Sequence, residues 1–159
     1  MSGEVISGGC QCGAVRFRVG RLGNASICHC RMCQKAFGAF YAPLVTAYEL
    51  EWTRGAPKFF QSSNRVRRGF CADCGTPLSY DYGAEPEIAI GALDRPQWAA
   101  PTVQVNPADK QPFVDTLATL PFRHIEPGGD EARFMASVES CQHPDEDTQI
   151  WPPETGPDR

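Results

Sequence analysis

The segment Cys71-Ala72-Asp73-Cys74-Gly75 carries two cysteines two residues apart, followed directly by a glycine. This spacing lets one tight turn present both sulfur atoms to a single ion, and the glycine tolerates the positive φ that the turn requires. A second pair lies in Cys10-Gln11-Cys12-Gly13, where one intervening residue is less common for zinc. Together the pairs supply four thiolates, which make a complete tetrahedral zinc site. We expect this site to clamp the N-terminal hairpin to a later turn.

A third group of cysteines lies in Cys28-His29-Cys30-Arg31-Met32-Cys33. Three thiolates this close together can bind a second ion and leave its fourth position open. Purely structural metal sites are closed by protein ligands, whereas catalytic sites keep a position for water or substrate. Cys141 or His29 could close this site instead, and the sequence alone does not assign the partners. The division into four and three cysteines holds if the triplet serves one ion by itself.

Other roles for these cysteines are a disulfide network, a redox pair or an iron–sulfur cluster. Residues 1–9 contain neither a basic region nor an apolar run, so no signal peptide is expected. Clustered cysteines in a reducing cytoplasm are more often metal ligands than disulfides. Their spacings also differ from the common ferredoxin patterns. We therefore predict a cytoplasmic protein with two zinc ions per chain, one structural and one exchangeable.

Length and charge narrow the functional classes. The chain has 159 residues, which fits one domain able to bury its own core. The formal net charge is −4 and no Lys/Arg block stands out, which argues against nucleic acid as a partner. No apolar run approaches the roughly 18 residues of a membrane-spanning helix, so no membrane association is expected. The sequence leaves the oligomeric state open.

Short strands and frequent turns dominate the first two-thirds of the chain. Residues 14–19 alternate apolar side chains with Arg16 and Arg18, which is the period of a half-buried strand. Further strands are predicted at 48–54, 58–61, 78–82 and 87–93. The 15 glycines and 14 prolines disfavour long helices. We predict a mainly β fold of short antiparallel strands built around the structural zinc.

The last third of the sequence has a different character. Four prolines between residues 96 and 112 favour extended, loop-like backbone. One short helix is predicted over 130–139, with Asp130 as its N-cap. The acidic, proline-rich end, 143–159, is expected to be poorly ordered. We divide the chain into a zinc-binding domain, 1–125, and a partly disordered C-terminal extension, 126–159.

An open site with three thiolates has a predictable chemistry. Three thiolates and one divalent zinc leave one net negative charge, so the ion is a weak Lewis acid for activating water. The soft, sulfur-rich ligand shell favours a thiol as fourth ligand, held as its thiolate. Such a thiolate can attack an electrophilic carbon, or leave from it in the reverse step.

A thiol substrate that carries carboxylates requires nearby cations. Arg31 and Lys35 flank the third cysteine group, and Arg67 belongs to the densest basic stretch, together with Arg65 and Arg68. We predict that Arg31, Lys35 and Arg67 contact the substrate carboxylates, since arginine in particular binds them in bidentate fashion. The alternative is that these side chains form an ordinary solvated surface.

The three motifs together resemble one protein family. The runs are Gly9-Cys10-Gln11-Cys12-Gly13-Ala14-Val15, then Cys28-His29-Cys30-Arg31-Met32-Cys33-Gln34-Lys35, then Gly69-Phe70-Cys71-Ala72-Asp73-Cys74-Gly75-Thr76-Pro77-Leu78. Their order and spacing, with the trailing Ile90-Gly91-Ala92-Leu93-Asp94, resemble the glutathione-dependent formaldehyde-activating enzymes, a family that includes centromere protein V. The resemblance covers about residues 5–96.

The resemblance implies a β-tent fold and two zinc ions. In the family, the positions that match Cys10, Cys12, Cys71 and Cys74 hold the structural ion, and those that match Cys28, Cys30 and Cys33 hold the catalytic one. The founding activity joins formaldehyde to glutathione and gives S-hydroxymethylglutathione, which classes it as a carbon–sulfur lyase. Members often carry a His and an aromatic residue in a segment that corresponds to 101–106, where this chain has neither.

We therefore interpret the chain as a zinc-dependent carbon–sulfur lyase that acts on a small thiol adduct. Glutathione and formaldehyde are the default substrate pair. The alternatives are a non-catalytic, zinc-stabilised binding module and a thiol carrier without turnover.

Overall fold

The computed structural model describes residues 5–152, which form short strands connected by turns and brief helical segments. The strands are β1 (Ile6–Gly9), β2 (Arg16–Val19), β3 (Arg21–Cys28), β4 (Ala42–Tyr48), β5 (Glu51–Arg54), β6 (Lys58–Gln61), β7 (Arg67–Phe70), β8 (Pro77–Asp81), β9 (Glu87–Ala89) and β10 (Val103–Val105). The α-helices are α1 (Arg31–Phe37) and α2 (Asp130–Ser137), and 3₁₀ segments cover Ile90–Ala92, Pro96–Ala99, Pro107–Asp109 and Pro112–Thr119. The predicted mainly β fold is confirmed.

The strands make two sheets. A small sheet has the order β1-β2-β5, and a seven-stranded sheet has the order β10-β3-β4-β9-β8-β7-β6. Neighbouring strands pair antiparallel, except that β10 runs parallel to β3 at the edge of the large sheet. A parallel neighbour requires a long crossover, and the chain between β3 and β10 contains most of the large sheet.

Most predicted strands are present with shifted ends. The strand predicted at 58–61 matches β6, and the strand predicted at 78–82 lies one residue earlier as β8. The strand predicted at 48–54 is a turn followed by β5, because Glu49 takes a left-handed φ of 57°. Sequence patterns missed β1, β3, β4, β7 and β10. Of these, β3 and β4 have no clean alternation, because β3 is largely half-buried and β4 is covered on both faces.

The two faces of the large sheet have different surroundings. On one face, Val45, Ala47 and Ile88 join the main hydrophobic core, to which the small sheet contributes Phe17 and Val19. The opposite face carries a smaller cluster, with Cys28, Cys33 and Leu44 as members. Since successive side chains of a strand point to opposite faces, the core and this second cluster lie back to back across the sheet.

A buried ion pair stabilises the small sheet. Arg16 is almost fully enclosed, and its guanidinium donates to both carboxylate oxygens of Asp94, at 2.8 and 2.5 Å. Asp147 accepts from the same guanidinium at 2.9 Å and from Arg18 at 2.8 Å. Burial lowers the pKa of Arg16, but the two carboxylates outweigh burial and raise it. Arg16 and Arg18 form the polar face of β2 that the sequence pattern predicts. Both pair with carboxylates from later in the chain.

A C-terminal strap, defined here as residues 143–151, lies over the N-terminal turn. The backbone N–H of His143 donates to the carbonyl of Gln11 at 2.7 Å, and the indole N–H of Trp151 donates to the carbonyl of Cys12 at 2.7 Å. The His143 ring is buried against Gly13, where a Cβ atom would lie 2.2 Å from the ring. The chain after Asp94 therefore reaches back to the beginning of the fold.

The proposed division at residue 125 stays a prediction. The helix predicted over 130–139 is present as α2, with Gly129 rather than Asp130 as its N-cap. Poor order is expected for 143–159. Part of this range, residues 153–159, lies outside the described residues. Within residues 5–152, none of the helices combines the length and apolar character needed to span a bilayer.

Replacement of Phe17 by alanine tests the main core. The ring is 0% exposed and meets Trp52 edge to face at 5.7 Å. Phe17→Ala should lower the free energy of unfolding by about 3–5 kcal/mol, because it leaves a cavity where the sheets meet. The exposed Phe60→Ala is the matched control and should change stability by less than ~0.5 kcal/mol in the same chemical denaturation.

Candidate metal centres

Two turns of similar design bring four cysteines together. In each turn the first cysteine donates its backbone N–H across the turn, from Cys10 to the carbonyl of Val15 at 2.9 Å and from Cys71 to that of Thr76 at 3.0 Å. The glycine that follows each pair, Gly13 or Gly75, has a φ near 80° and donates back to the first cysteine's carbonyl. A side chain at these two positions would strain the backbone, so the glycines allow the sulfurs to face inward.

The sulfur atoms of Cys10, Cys12, Cys71 and Cys74 form the four-cysteine centre, in which all lie within 4.8 Å of one another. Two of the separations are 3.5 Å, from Cys10 to Cys12, and 3.8 Å, from Cys12 to Cys71. A tetrahedral zinc ion with bonds of about 2.3 Å separates its sulfur ligands by roughly 3.8 Å. The cluster can hold a metal ion, and its donor set is compatible with zinc.

The surroundings of the four-cysteine centre show how clustered thiols affect one another. Burial raises the pKa of Cys12, and the neighbouring thiols Cys10 and Cys74 add to that effect. Burial also acts on Cys74, but hydrogen bonds from the hydroxyl and backbone of Thr76 and from the backbone of Cys12 outweigh it and lower the pKa to about 6. Because neighbouring thiolates repel, ionisation of all four requires a cation among them.

Strand β3 and helix α1 bring the other three cysteines together. Cys28 ends β3, Cys30 is the N-cap of α1, and Cys33 lies in its first turn. Their sulfur atoms lie within 4.8 Å of one another and form the three-cysteine centre, which can also hold a metal ion. No disulfide joins any of the eight cysteines, all of which lie within residues 5–152.

Each sulfur of the three-cysteine centre accepts a hydrogen bond. The side-chain amide of Asn106 donates to Cys28 Sγ at 3.1 Å, and the backbone N–H of Cys33 donates to Cys30 Sγ at 3.4 Å. Arg68 Nη2 donates to Cys33 Sγ at 3.3 Å. Donors of this kind orient thiolate ligands and stabilise their charge.

The thiols of the three-cysteine centre differ in acidity. Burial would raise the pKa of Cys28, but hydrogen bonds, chiefly from the Cys30 backbone and Asn106, hold that pKa below its ordinary value. Burial raises the pKa of Cys33 to about 12, although Arg68 opposes this shift. A metal ion here would therefore displace protons from some of its ligands as it binds.

The three-cysteine centre opens to a cavity of about 930 Å³. Strand register explains which side chains line it, since paired residues of adjacent strands point to the same face of the sheet. Arg68 pairs with Tyr80, Tyr80 pairs with Glu87, and all three line the cavity. Burial raises the pKa of both Tyr80 and Glu87. The polar residues at positions 62–65, which connect β6 to β7, also line the cavity.

The three predicted substrate cations do not line this cavity. Arg67 precedes Arg68 on β7 and therefore points to the other face, where it pairs with Asp81 at 2.6 Å. Arg31 and Lys35 are exposed on α1 and border an adjoining groove, which shares Met32, Ser62 and Arg68 with the cavity. Contacts from these three residues to a substrate stay a prediction, whereas the cations that line the cavity are Arg65 and Arg68.

His29 and Cys141 do not join the three-cysteine centre. The ring of His29 is fully buried, and its Nε2 lies 2.9 Å from Gln104 Oε1. This contact, with the bond from the His29 backbone to Val105, attaches β10 to the sheet. His29 therefore helps to hold β10 in place and does not close the three-cysteine centre. Cys141 is exposed and belongs to neither cysteine cluster within the described chain.

Sequence reasoning missed Asn106, which lies in the segment that lacks the family's His and aromatic residue. Asn106 adopts a left-handed φ of 56°, a conformation in which asparagine is enriched. It directly follows β10 and faces Cys28. An asparagine between a strand and a proline is ordinary turn composition, so only the parallel pairing of β10 with β3 identifies its role.

The chain was compared with protein-family models, solved structures and curated proteins. A family model described as "Glutathione-dependent formaldehyde-activating enzyme" matches residues 5–108, a range that contains both cysteine centres and Asn106. A crystal structure of a Rhodobacter sphaeroides protein is 22% identical and covers 62% of this chain and 99% of its own, with a TM-score of 0.49. No curated protein matches the chain.

Removal of a ligand from the four-cysteine centre should destabilise the whole fold. Cys71→Ser breaks the link between the two turns, and a structural zinc contributes folding free energy directly. We expect zinc loss together with a melting temperature lower by roughly 10 °C or more, measured by elemental analysis and calorimetry. An unchanged melting temperature would contradict the structural role.

The corresponding change in the three-cysteine centre should leave the fold intact. Cys30→Ser removes a half-buried thiol that lines the cavity, outside the main core. We expect the zinc content to fall from two ions to one, with a melting temperature within a few degrees of the parent protein. Global unfolding of this variant would show that the two centres do not have separate roles.

Proposed function

Because the chain belongs to the glutathione-dependent formaldehyde-activating enzyme family, we propose that it is a zinc-dependent carbon–sulfur lyase acting on a small thiol adduct. Glutathione and formaldehyde are the proposed substrate pair, and S-hydroxymethylglutathione is the product. Cys10, Cys12, Cys71 and Cys74 are the proposed ligands of a structural zinc. Cys28, Cys30 and Cys33 are the proposed ligands of a second, exchangeable zinc at the reactive site.

The observation that carries this proposal is the contrast between the two centres. Four sulfur donors complete a tetrahedral site, whereas the three-cysteine centre has one donor fewer and borders the cavity of about 930 Å³. A cavity of this size accommodates a ligand as large as a short peptide. Zinc bound at the three-cysteine centre would supply the affinity for a substrate thiol and hold it as thiolate.

The reaction then needs no protein nucleophile. The substrate sulfur forms a bond to the aldehyde carbon, the carbonyl electron pair moves to oxygen, and oxygen takes up the proton released by the thiol. No oxidant or reductant is required, and the reverse sequence breaks the same carbon–sulfur bond. The protein contributes orientation, since Asn106 and Arg68 fix the sulfur ligands by their hydrogen bonds.

The cavity also suits a charged thiol. Arg65 is exposed at the rim and is available to a carboxylate, while Glu87 is a half-buried carboxylate that forms no ion pair with another residue in 5–152. A substrate with both carboxylate and amine groups, such as glutathione, matches this distribution of charge. A cytoplasmic location, where glutathione is abundant and thiols stay reduced, fits the same proposal.

Metal content and turnover together test this function. The purified protein should hold two zinc ions per chain and bind glutathione, as measured by elemental analysis and calorimetry. It should also form the adduct faster than the uncatalysed reaction, with a rate proportional to protein concentration. Cys30→Ser is the control and should fall to the background rate while keeping one zinc.

Two other outcomes would replace the proposal. Two zinc ions with thiol binding but no rate above background would indicate a thiol carrier. Zinc ions that ignore every thiol offered would indicate a binding module stabilised by metal.

A further inference from the structure

Arg68 is a buried arginine in the wall of the cavity. It is 7% exposed, and its Nε donates to Ser62 Oγ at 3.0 Å. The guanidinium carbon lies 4.9 Å from the centre of the Tyr80 ring, which packs beside it as a cross-strand neighbour. Nη2 donates to Cys33 Sγ at 3.3 Å. Neighbours on β8, on α1 and in the β6–β7 connection therefore fix the position of this charge.

The charge of Arg68 has no paired carboxylate in the part of the chain that the structure describes. Among residues 5–152, the arginines paired with Asp or Glu do not include Arg68, and its Nη1 is enclosed without a hydrogen-bond partner. A buried charge without a counter-charge is costly, so proteins pair such groups. The group that Arg68 contacts is the sulfur of Cys33, which becomes anionic when the three-cysteine centre binds a metal ion.

The number of charges at this centre shows what Arg68 can contribute. Three thiolates and a divalent zinc carry one net negative charge, and a fourth, substrate thiolate adds another. A guanidinium in direct contact with one ligand offsets one of these charges. In the four-cysteine centre, the groups that contact Cys10 and Cys74 are neutral, namely the Val15 N–H and the Thr76 hydroxyl. The charged donor therefore distinguishes the centre that borders the cavity.

We propose that Arg68 is a positioning residue whose charge lets the three-cysteine centre accept an anionic sulfur as its fourth ligand. The inference rests on the proposed thiol-accepting site and extends it, because it assigns thiol capture to a residue outside the cysteine motifs. Arg68 acts on the sulfur and not on the remainder of the substrate, so its effect is the same for thiols with and without carboxylates.

The rival role for Arg68 is direct recognition of a substrate carboxylate. Its geometry disfavours that role, because Nε and Nη2 already donate to Ser62 and Cys33 and Nη1 is enclosed by protein atoms. Arg65 is the exposed cation of the same cavity and is better placed for a carboxylate. Glu87 also lines the cavity, and its carboxylate repels anions. It is therefore suited to the amine of a substrate and not to its carboxylates.

Two thiols of different charge separate these roles. Zinc-loaded protein is titrated by calorimetry with glutathione, which has two carboxylates, and with 2-mercaptoethanol, which has none. In Arg68→Gln we expect the affinity for both thiols to fall by a similar factor, about tenfold or more, with the zinc content unchanged. Arg68→Lys keeps the charge and should recover affinity to within about threefold of the parent. Arg133→Gln, at an exposed arginine of α2 that does not line the cavity, should leave both affinities unchanged.

Three results would overturn the role of Arg68. A loss confined to glutathione would assign Arg68 to the substrate carboxylate, and unchanged affinity for both thiols would leave it without a part in capture. If Arg68→Gln loses its second zinc, Arg68→Lys decides the question, and a lysine variant with intact zinc but no recovered affinity excludes a role for charge.

Turnover is measured separately, so that the two proposals can fail independently. Parent protein that binds both thiols in an Arg68-dependent way but shows no turnover contradicts the lyase and supports the role of Arg68. Parent protein with turnover and an unaffected Arg68→Gln variant contradicts the role of Arg68 and supports the lyase.

Discussion

Repulsion between neighbouring thiolates is the constraint on which this structure depends. Seven sulfur atoms converge in two clusters, and neither cluster can ionise fully without positive charge in its midst. The chain meets this demand with tight turns that expose backbone N–H groups, with the Asn106 amide and with the Arg68 guanidinium. These devices lie on β7, at the residue that follows β10 and in both cysteine turns. The electrostatics of sulfur therefore connect segments that are far apart in sequence.

Because side chains alternate along each strand, one face of the large sheet packs into the hydrophobic core and the other lines the cavity. One face supplies Val45 and Ile88 to the core, and the other supplies Cys28 and Arg68 to the cavity. A change in cavity residues consequently leaves the packing behind the sheet undisturbed. The adjacent arginines Arg67 and Arg68 illustrate this division, because one forms a surface ion pair and the other contacts a cysteine. Such a framework should tolerate variation in the cavity lining at little cost to folding.

The sequence was informative where local spacing determines structure and silent where distant strands meet. Both cysteine groupings were predictable, because ligand spacing is a local property of each turn. Strand register determines the face of the large sheet to which the Arg67 and Arg68 side chains each point. The sequence of β7 alone does not reveal that register. Asn106 and Gln104 acquire their partners only when β10 pairs in parallel with β3. Burial of Arg16 likewise depends on Asp147, which lies near the other end of the chain.

The C-terminal strap has a consequence for the order of assembly. During synthesis the four cysteines of the first centre leave the ribosome well before His143 and Trp151, and domains begin to fold while later residues are still being added. The two turns can therefore meet and capture metal while their outer surface is uncovered. Arrival of the strap then places His143 against Gly13 and the Trp151 indole on the Cys12 carbonyl. The strap can therefore close over the first cysteine turn only after all four cysteines of this centre have been synthesised.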